Sequence, residues 1–110
     1  MSIADGFFAV DIRVGTIVEA LPFPEAQKPA IKLAIDFGPE IGVKRSSAQI
    51  TTYYHPEALV GRQIIAVMNL GAKRIAGFVS EVLILGVMDT PTAVNLLIPD
   101  RPAKNGTRIA

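Results

Sequence analysis

The sequence predicts an all-β fold, a small barrel of short antiparallel strands, on three observations. Apolar side chains alternate with polar ones along several segments, turn residues separate these segments, and only one short segment carries helix signals. Alternation with a period of two is typical of strands that are buried on one face. At 110 residues, we expect one domain that covers residues 1–110.

Three strands are predicted in the first half of the chain. Apolar or β-branched residues occupy every second position from Phe8 to Val18, and Gly15 within this run predicts a bulge or a sharp bend. The segment Leu21–Pro29 is rich in proline, which predicts a loop or an edge segment. The second strand is predicted over Ile31–Phe37 and the third, which is unusually polar, over Val43–Thr52.

The second half is predicted to hold one helical turn and more strands. His55–Gly61 has a proline in its first turn and a glycine after its last residue, as short helices do. Apolar strands are predicted over Arg62–Leu70 and Phe78–Met88, and a short one over Ala93–Ile98, before a polar tail. A single helix between the third and fourth strands favours the five-stranded Greek-key barrel called the OB-fold, here with extra terminal strands.

The composition limits the partners and the compartment. Half of the residues are hydrophobic and 19% are charged, so we expect a partner chain to cover part of the apolar surface. The absence of cysteine excludes disulfides and thiol chemistry and is typical of a cytoplasmic protein. A net charge of +1 means that nucleic-acid binding would need a local basic patch. No signal peptide and no membrane insertion are expected from the apolar pattern.

The sequence offers no recognisable set of catalytic or metal-binding side chains. His55 is the single histidine, and a polar residue before a helix-opening proline commonly caps the helix or faces solvent. Phosphate-binding loops, dinucleotide-binding glycine motifs and Ser/His/Asp signatures are all missing. We therefore expect no enzyme activity, no metal and no cofactor.

Basic and aromatic residues are the candidates for binding. An OB barrel holds oligonucleotides in a groove through phosphate contacts and aromatic stacking. Phe37 and Phe78 lie in apolar patterns that favour the core, whereas the Tyr53–Tyr54 pair at a strand end favours one exposed ring. Three basic groups either converge on such a groove or are ordinary solvated charges: Lys28 with Lys32, Lys44 with Arg45, and Lys73 with Arg74.

Four long segments resemble the tRNA-binding domain family. They are DIRVGTIVEA (11–20), FPEAQKPAIKLAIDFG (23–38), KRSSAQITTYYHPEALVGRQIIAVMNL (44–70) and GFVSEVLILG (77–86). This family occurs at the C-terminus of some methionyl-tRNA synthetases and as free-standing tRNA-binding proteins. Within it, the chain length and the segments FPEAQKP and SEVLILG are most similar to small bacterial export-related chaperones.

The resemblance implies an OB-fold homodimer whose terminal segments form the interface. The alternative is that the same apolar residues simply cap the barrel of their own chain. The interface residues implied in this way are Phe7, Phe8, Val94, Leu96, Leu97 and Ile98.

The family's tRNA-binding pattern matches this sequence in part. Ser46, Asn69 and the pair Ser80–Glu81 fit the pattern, although Ser80 and Glu81 could equally tie a loop through backbone hydrogen bonds. The resemblance implies an RNA site made of Lys32, Lys44, Arg45, Ser46, Asn69, Lys73, Arg74, Ser80 and Glu81.

Other positions depart from the pattern towards a more apolar surface. Phe23 stands where the family has a histidine, and Ser47 and Val82 replace glycines that permit close backbone approach. Such changes favour a groove for extended polypeptide. The implied peptide-binding residues are Phe23, Tyr53, Tyr54, Phe78 and Val82.

Two functions follow from the resemblance. The first is an ATP-independent chaperone that binds unfolded or presecretory polypeptides and takes part in protein export, with the export machinery as a further partner. The second is a structure-specific tRNA-binding protein.

Overall fold

The protein is described here by a computed structural model of residues Met1–Ala110. Two short helices accompany nine strands. The helices are α1 (Ile3–Ala9) and α2 (Pro56–Leu59). The strands are β1 (Ile12–Pro22), β2 (Ile31–Asp36), β3 (Val43–Ala48), β4 (Gln63–Val67), β5 (Lys73–Ile75), β6 (Phe78–Ser80), β7 (Leu83–Ile84), β8 (Gly86–Thr90) and β9 (Ala93–Leu96).

Five of these strands form one antiparallel sheet in the order β3-β2-β1-β4-β7. Three consecutive strands followed by a fourth that returns beside the first is the Greek-key arrangement. The sheet curls into a nearly closed barrel, and two hairpins, β5–β6 and β8–β9, extend from it. The predicted all-β, OB-type barrel with a short helix between β3 and β4 is confirmed.

The core lies inside this barrel because alternate residues of its strands point inwards. On β2, Ile31, Leu33 and Ile35 are at most 2% exposed, while the residues between them are only partly buried. Leu59 of α2 is fully buried and caps the same apolar cluster. The apolar residues of the alternating pattern therefore face the inside of the barrel, and the polar residues between them face outwards.

Side chains complete the barrel where β3 meets the segment 80–82, and we call this junction the seam. The N–H of Arg45 donates to Oε1 of Glu81 (3.0 Å), and the N–H of Ser47 donates to Oγ of Ser80 (3.0 Å). The N–H of Glu81 donates to the carbonyl of Arg45 (2.8 Å). Unpaired edge groups of β3 are satisfied in this way without a continuous strand ladder.

The N-terminus differs from the prediction. The strand expected from Phe8 begins only at Ile12, and residues 3–9 form α1. Ser2 and Asp5 make a capping box at its start: Oγ of Ser2 accepts from the N–H of Asp5 (3.1 Å), and the Asp5 carboxylate accepts from the N–H of Ser2 (3.2 Å). Local capping therefore outweighs the alternation that extended the predicted strand to Phe8.

Gly15 does not mark a bulge. The register shift of β1 lies between Ile17 and Glu19 instead. A Cβ atom at position 15 would lie 2.7 Å from Cγ2 of Ile35 and 2.7 Å from two ring carbons of Phe37. The glycine is required because the core packs against the β1 backbone.

The region after β4 contains more strands, and shorter ones, than the sequence predicts. Lys73 and Arg74 lie in β5, not in a loop, because Ala76 and Gly77 both have positive φ and form a tight hairpin turn to β6. The expected strand 78–88 is three short strands, and the strands expected over 43–52 and 62–70 end at Ala48 and Val67. The polar tail pairs with β1 through Arg13 and Arg108.

Candidate ligand-binding surface

A basic cleft opens beside the β5–β6 hairpin. Its volume is about 540 Å³, and the loop 23–30 and the outer side of β3 form its other walls. Glu25 is the single carboxylate at this site. We define the basic cleft by its three cations, Lys28, Lys73 and Arg74, and by the polar side chains of Gln27, Ser47 and Gln49.

An apolar cleft lies on the other side of the same loop. It has a volume of about 350 Å³ and shares Ala26, Gln27 and Ala30 with the basic cleft. The two clefts are therefore adjacent and have part of this loop as a common wall. We define the apolar cleft by Pro22, Phe23, Pro24, Pro29 and Thr51.

Two aromatic rings and two cations form a cluster on the outer face of β2 and β3. The rings of Phe23 and Phe78 meet edge to face, with centroids 5.5 Å apart. Nζ of Lys32 lies 5.2 Å from the Phe23 centroid and 5.9 Å from that of Phe78, and Cζ of Arg45 lies 5.2 Å from the Phe78 centroid. These distances are within cation–π range, so the rings hold both cations at the surface.

The residues expected to bind RNA occupy three different environments. Lys73 and Arg74 are exposed in the basic cleft. Lys32 belongs to the aromatic cluster. Nζ of Lys44 and Nε of Arg45 each lie 3.9 Å from a carboxylate oxygen of Glu81, which partly neutralises them. Of the basic residues, Lys28, Lys73 and Arg74 therefore share one cleft. Lys32, Lys44 and Arg45 lie outside it, against aromatic rings or the Glu81 carboxylate.

Several polar residues of the predicted RNA site instead hold the fold together. Ser46 is 1% exposed, and its hydroxyl donates to the carbonyl of Val82 (2.8 Å). The Asn69 amide donates to the carbonyl of Ala9 and accepts from the N–H of Asp11, both at 2.9 Å, which fixes the end of α1. Ser80 and Glu81 form the seam described above. The contacts of Ser80 and Glu81 are hydrogen bonds to the backbone of β3, as in the structural alternative that the sequence left open.

The residues expected to bind peptide are also divided. Val82 is 5% exposed and packs in the core, so its side chain does not contribute to an open surface. Phe23 is 4% exposed and forms the floor of the apolar cleft. Phe78, which the pattern assigned to the core, is only partly buried over the cation cluster.

The tyrosine pair has one exposed and one packed ring, as its position suggested. The Tyr53 hydroxyl donates to the Asp89 carboxylate (3.0 Å), and this hydrogen bond raises the pKa of Tyr53 above its ordinary value. The Tyr54 hydroxyl accepts from the N–H of Leu96 (3.0 Å), and its ring packs against the core.

Four of the six residues expected at a dimer interface are exposed to solvent, and the other two pack against the core. Leu96 is 8% exposed and belongs to the core cluster, and Val94 packs against that cluster. Val94 and Leu96 therefore pack against the barrel of their own chain, which was the alternative to a place at the interface. Phe7, Phe8, Leu97 and Ile98 are 39% to 63% exposed.

Gln27 and Gln49 line the basic cleft although the sequence did not single them out. Their side chains lack the charge or ring that marks a binding residue in a sequence, and only the fold brings them beside Lys73. Elsewhere, no group of three His, Cys, Asp or Glu side chains is arranged to hold a metal ion. Neither helix has the length and apolar character needed to cross a bilayer.

A five-stranded Greek-key barrel with a charged cleft on its outer wall defines a small OB-type binding domain. Residues 12–108 match the family model described as "Putative tRNA binding domain". The chain belongs to this tRNA-binding domain family.

Relatives of known structure include two chaperones. The chain is similar to the chaperone CsaA from Bacillus anthracis, with 51% identity, a TM-score of 0.94 and coverage of 100% of this chain and 99% of that one. It is also similar to the CsaA chaperone protein from Picrophilus torridus, with 49% identity, a TM-score of 0.91 and full coverage of both chains.

The domain also occurs inside an enzyme. The chain is 37% identical to the methionine–tRNA ligase of Methanocaldococcus jannaschii over 91% of its own length. It spans only 15% of the length of that ligase, so the similarity concerns one part of the larger protein. These relatives support a chaperone or tRNA-binding role for the family fold.

Proposed function

We propose that this protein is an ATP-independent chaperone that binds unfolded polypeptides without transforming them. The observation that carries this proposal is the apolar cleft beside the basic cleft, with the loop 23–30 as their shared wall. An unfolded chain presents apolar side chains and a polar backbone together, and both kinds of surface lie here within one short span. The whole-length similarity to two CsaA chaperones supports the same role.

Presecretory polypeptides in the cytoplasm are the clients that we propose, because chains awaiting export must be kept unfolded. The protein would then act in protein export and would hand its clients to the export machinery. Binding requires no bond to be made or broken, and we propose that the protein is not an enzyme and needs no cofactor.

We further propose that the protein acts as a homodimer. A monomeric protein of 11.7 kDa is expected to expose roughly 5,900 Å². This chain exposes 6904 Å². None of the residues of α1 is buried, and every residue of β8 is exposed. A second copy that covers the exposed Phe7, Phe8, Leu97 and Ile98 would remove part of this excess.

The test of the chaperone proposal is the aggregation of a chemically unfolded protein, followed by light scattering after dilution from denaturant. The protein should suppress aggregation at near-equal molar ratio, and to the same extent with and without ATP. Pro24→Asp with Pro29→Asp places two charges in the apolar cleft and should reduce the suppression. The matched variant Pro39→Asp with Pro102→Asp changes exposed prolines outside the cleft and should retain it. Full suppression by the cleft variant would contradict the proposal.

A second function, structure-specific tRNA binding, is favoured by the basic cleft. Three cations face one carboxylate there, and Lys73 and Arg74 lie side by side on β5. Phosphate contacts of this kind dominate the affinity of proteins for nucleic acids. Peptide and RNA would then overlap at the loop 23–30. RNA would use the cations of the basic cleft, whereas a peptide would use the apolar cleft and the uncharged polar side chains of the basic cleft.

A further inference from the structure

We infer that Arg45 is a stacking platform for one unpaired nucleobase of a bound RNA. This inference rests on the proposed tRNA-binding function and specifies how the surface next to the basic cleft would take a base. The phosphate-binding cations are Lys28, Lys73 and Arg74, whereas Arg45 lies outside the basic cleft.

Arg45 is held in place from two directions. Its Cζ atom lies 5.2 Å from the centroid of the Phe78 ring, and its Nε atom lies 3.9 Å from Oε1 of Glu81. A guanidinium group is planar and weakly hydrated, so it can stack face to face on an aromatic ring, whereas an ammonium group has no plane to stack. Much of the entropic cost of ordering this long side chain is therefore met before a ligand arrives.

The position of Arg45 remains open to a ligand. Its side chain is 52% exposed in spite of both contacts. Its cross-strand neighbour on β2 is Ala34, which is too small to cover a guanidinium group. Bases of single-stranded RNA are recognised by stacking on aromatic rings and on arginine planes.

The spacing along β3 connects the platform to the basic cleft. Ser47, a wall residue of that cleft, lies two positions from Arg45 on the same face of the strand, a separation of roughly 7 Å. An RNA strand with phosphates beside Lys73 and Arg74 would thus reach Arg45 with an adjacent base. Lys32, held over the same pair of rings, adds positive charge next to this base.

The test compares two RNA oligonucleotides of equal length and equal phosphate number, one with bases and one abasic, by fluorescence anisotropy with the 110-residue chain. The wild type should bind the oligonucleotide with bases about fivefold or more tightly, as expected for one stacked base. Arg45→Lys keeps the charge but loses the plane, and it should bring this ratio close to one. Lys28→Ala, the control, should weaken both oligonucleotides equally.

Three results would overturn the inference. Equal wild-type affinity for the two oligonucleotides would show binding through phosphates alone, and the tRNA-binding proposal would survive. An unchanged preference in Arg45→Lys would place the stacked base elsewhere. If neither oligonucleotide nor tRNA binds, the tRNA-binding proposal fails and the platform fails with it.

Discussion

Removing the two β5 cations, Lys73→Ala with Arg74→Ala, should change how tRNA binding responds to salt. The logarithm of affinity falls with the logarithm of salt concentration by about 0.8 for each neutralised phosphate, between the values for single and double strands. Three cations line the basic cleft. If each neutralises one phosphate, the wild type loses roughly 30-fold in affinity between 50 and 200 mM salt. The variant retains one cation and should lose only roughly threefold.

Filter binding or anisotropy with labelled tRNA measures both slopes. The matched control is Arg101→Ala with Lys104→Ala, which removes the same charge from exposed positions outside the basic cleft. Binding of an unfolded peptide should be nearly unchanged in both variants, because apolar burial does not weaken as salt rises. An unaltered slope in the β5 variant, or an equal change in the control, would refute the phosphate role of this cleft. Equal loss of peptide and tRNA binding would refute the separation of the two functions.

Three further predictions concern the barrel and its assembly. Gly15→Ala should lower the free energy of unfolding, measured in urea, by about 1–3 kcal/mol because the added methyl group would overlap the core. The control Gly6→Ala lies in α1 with open space around it and should be neutral or stabilising. Ser46→Ala should lower the free energy of unfolding by about 1–3 kcal/mol in the same assay because the Val82 carbonyl loses its hydrogen-bond donor. The control Ser47→Ala should change it by less than about 0.5 kcal/mol. Equal effects of the two variants would contradict a stabilising role for the Ser46 hydroxyl at the seam. In sedimentation velocity at micromolar concentration, the wild type should sediment as a dimer and Phe8→Asp as a monomer. A monomeric wild type under these conditions would contradict the homodimer proposal.

The barrel was predictable because strand alternation and the position of one helix are local signals. The inward residues of β2 and the helix that begins at Pro56 both follow from them. The helix α1 was missed because Phe8 continued the alternation of the next strand. The turn to β6 was missed because its first residue, Ala76, rarely adopts positive φ.

The candidate site was less predictable because it depends on which strands become neighbours. Ser46 and Val82 are 36 positions apart, and only barrel closure joins them in a buried hydrogen bond. Arg45 appeared in the sequence as one charge of a basic pair. Its contact with Phe78 requires β3 and β6 to pack together, which no local pattern specifies.

We propose that the loop 23–30 and the two clefts beside it hold an unfolded polypeptide. Amide chemical-shift mapping by NMR, with an unfolded peptide titrated into the isotope-labelled protein, can locate the bound peptide. The largest shifts should fall within residues 23–30 and 47–51, at both low and high salt. Shifts confined to the opposite wall of the barrel, around α2 and β4, would contradict it.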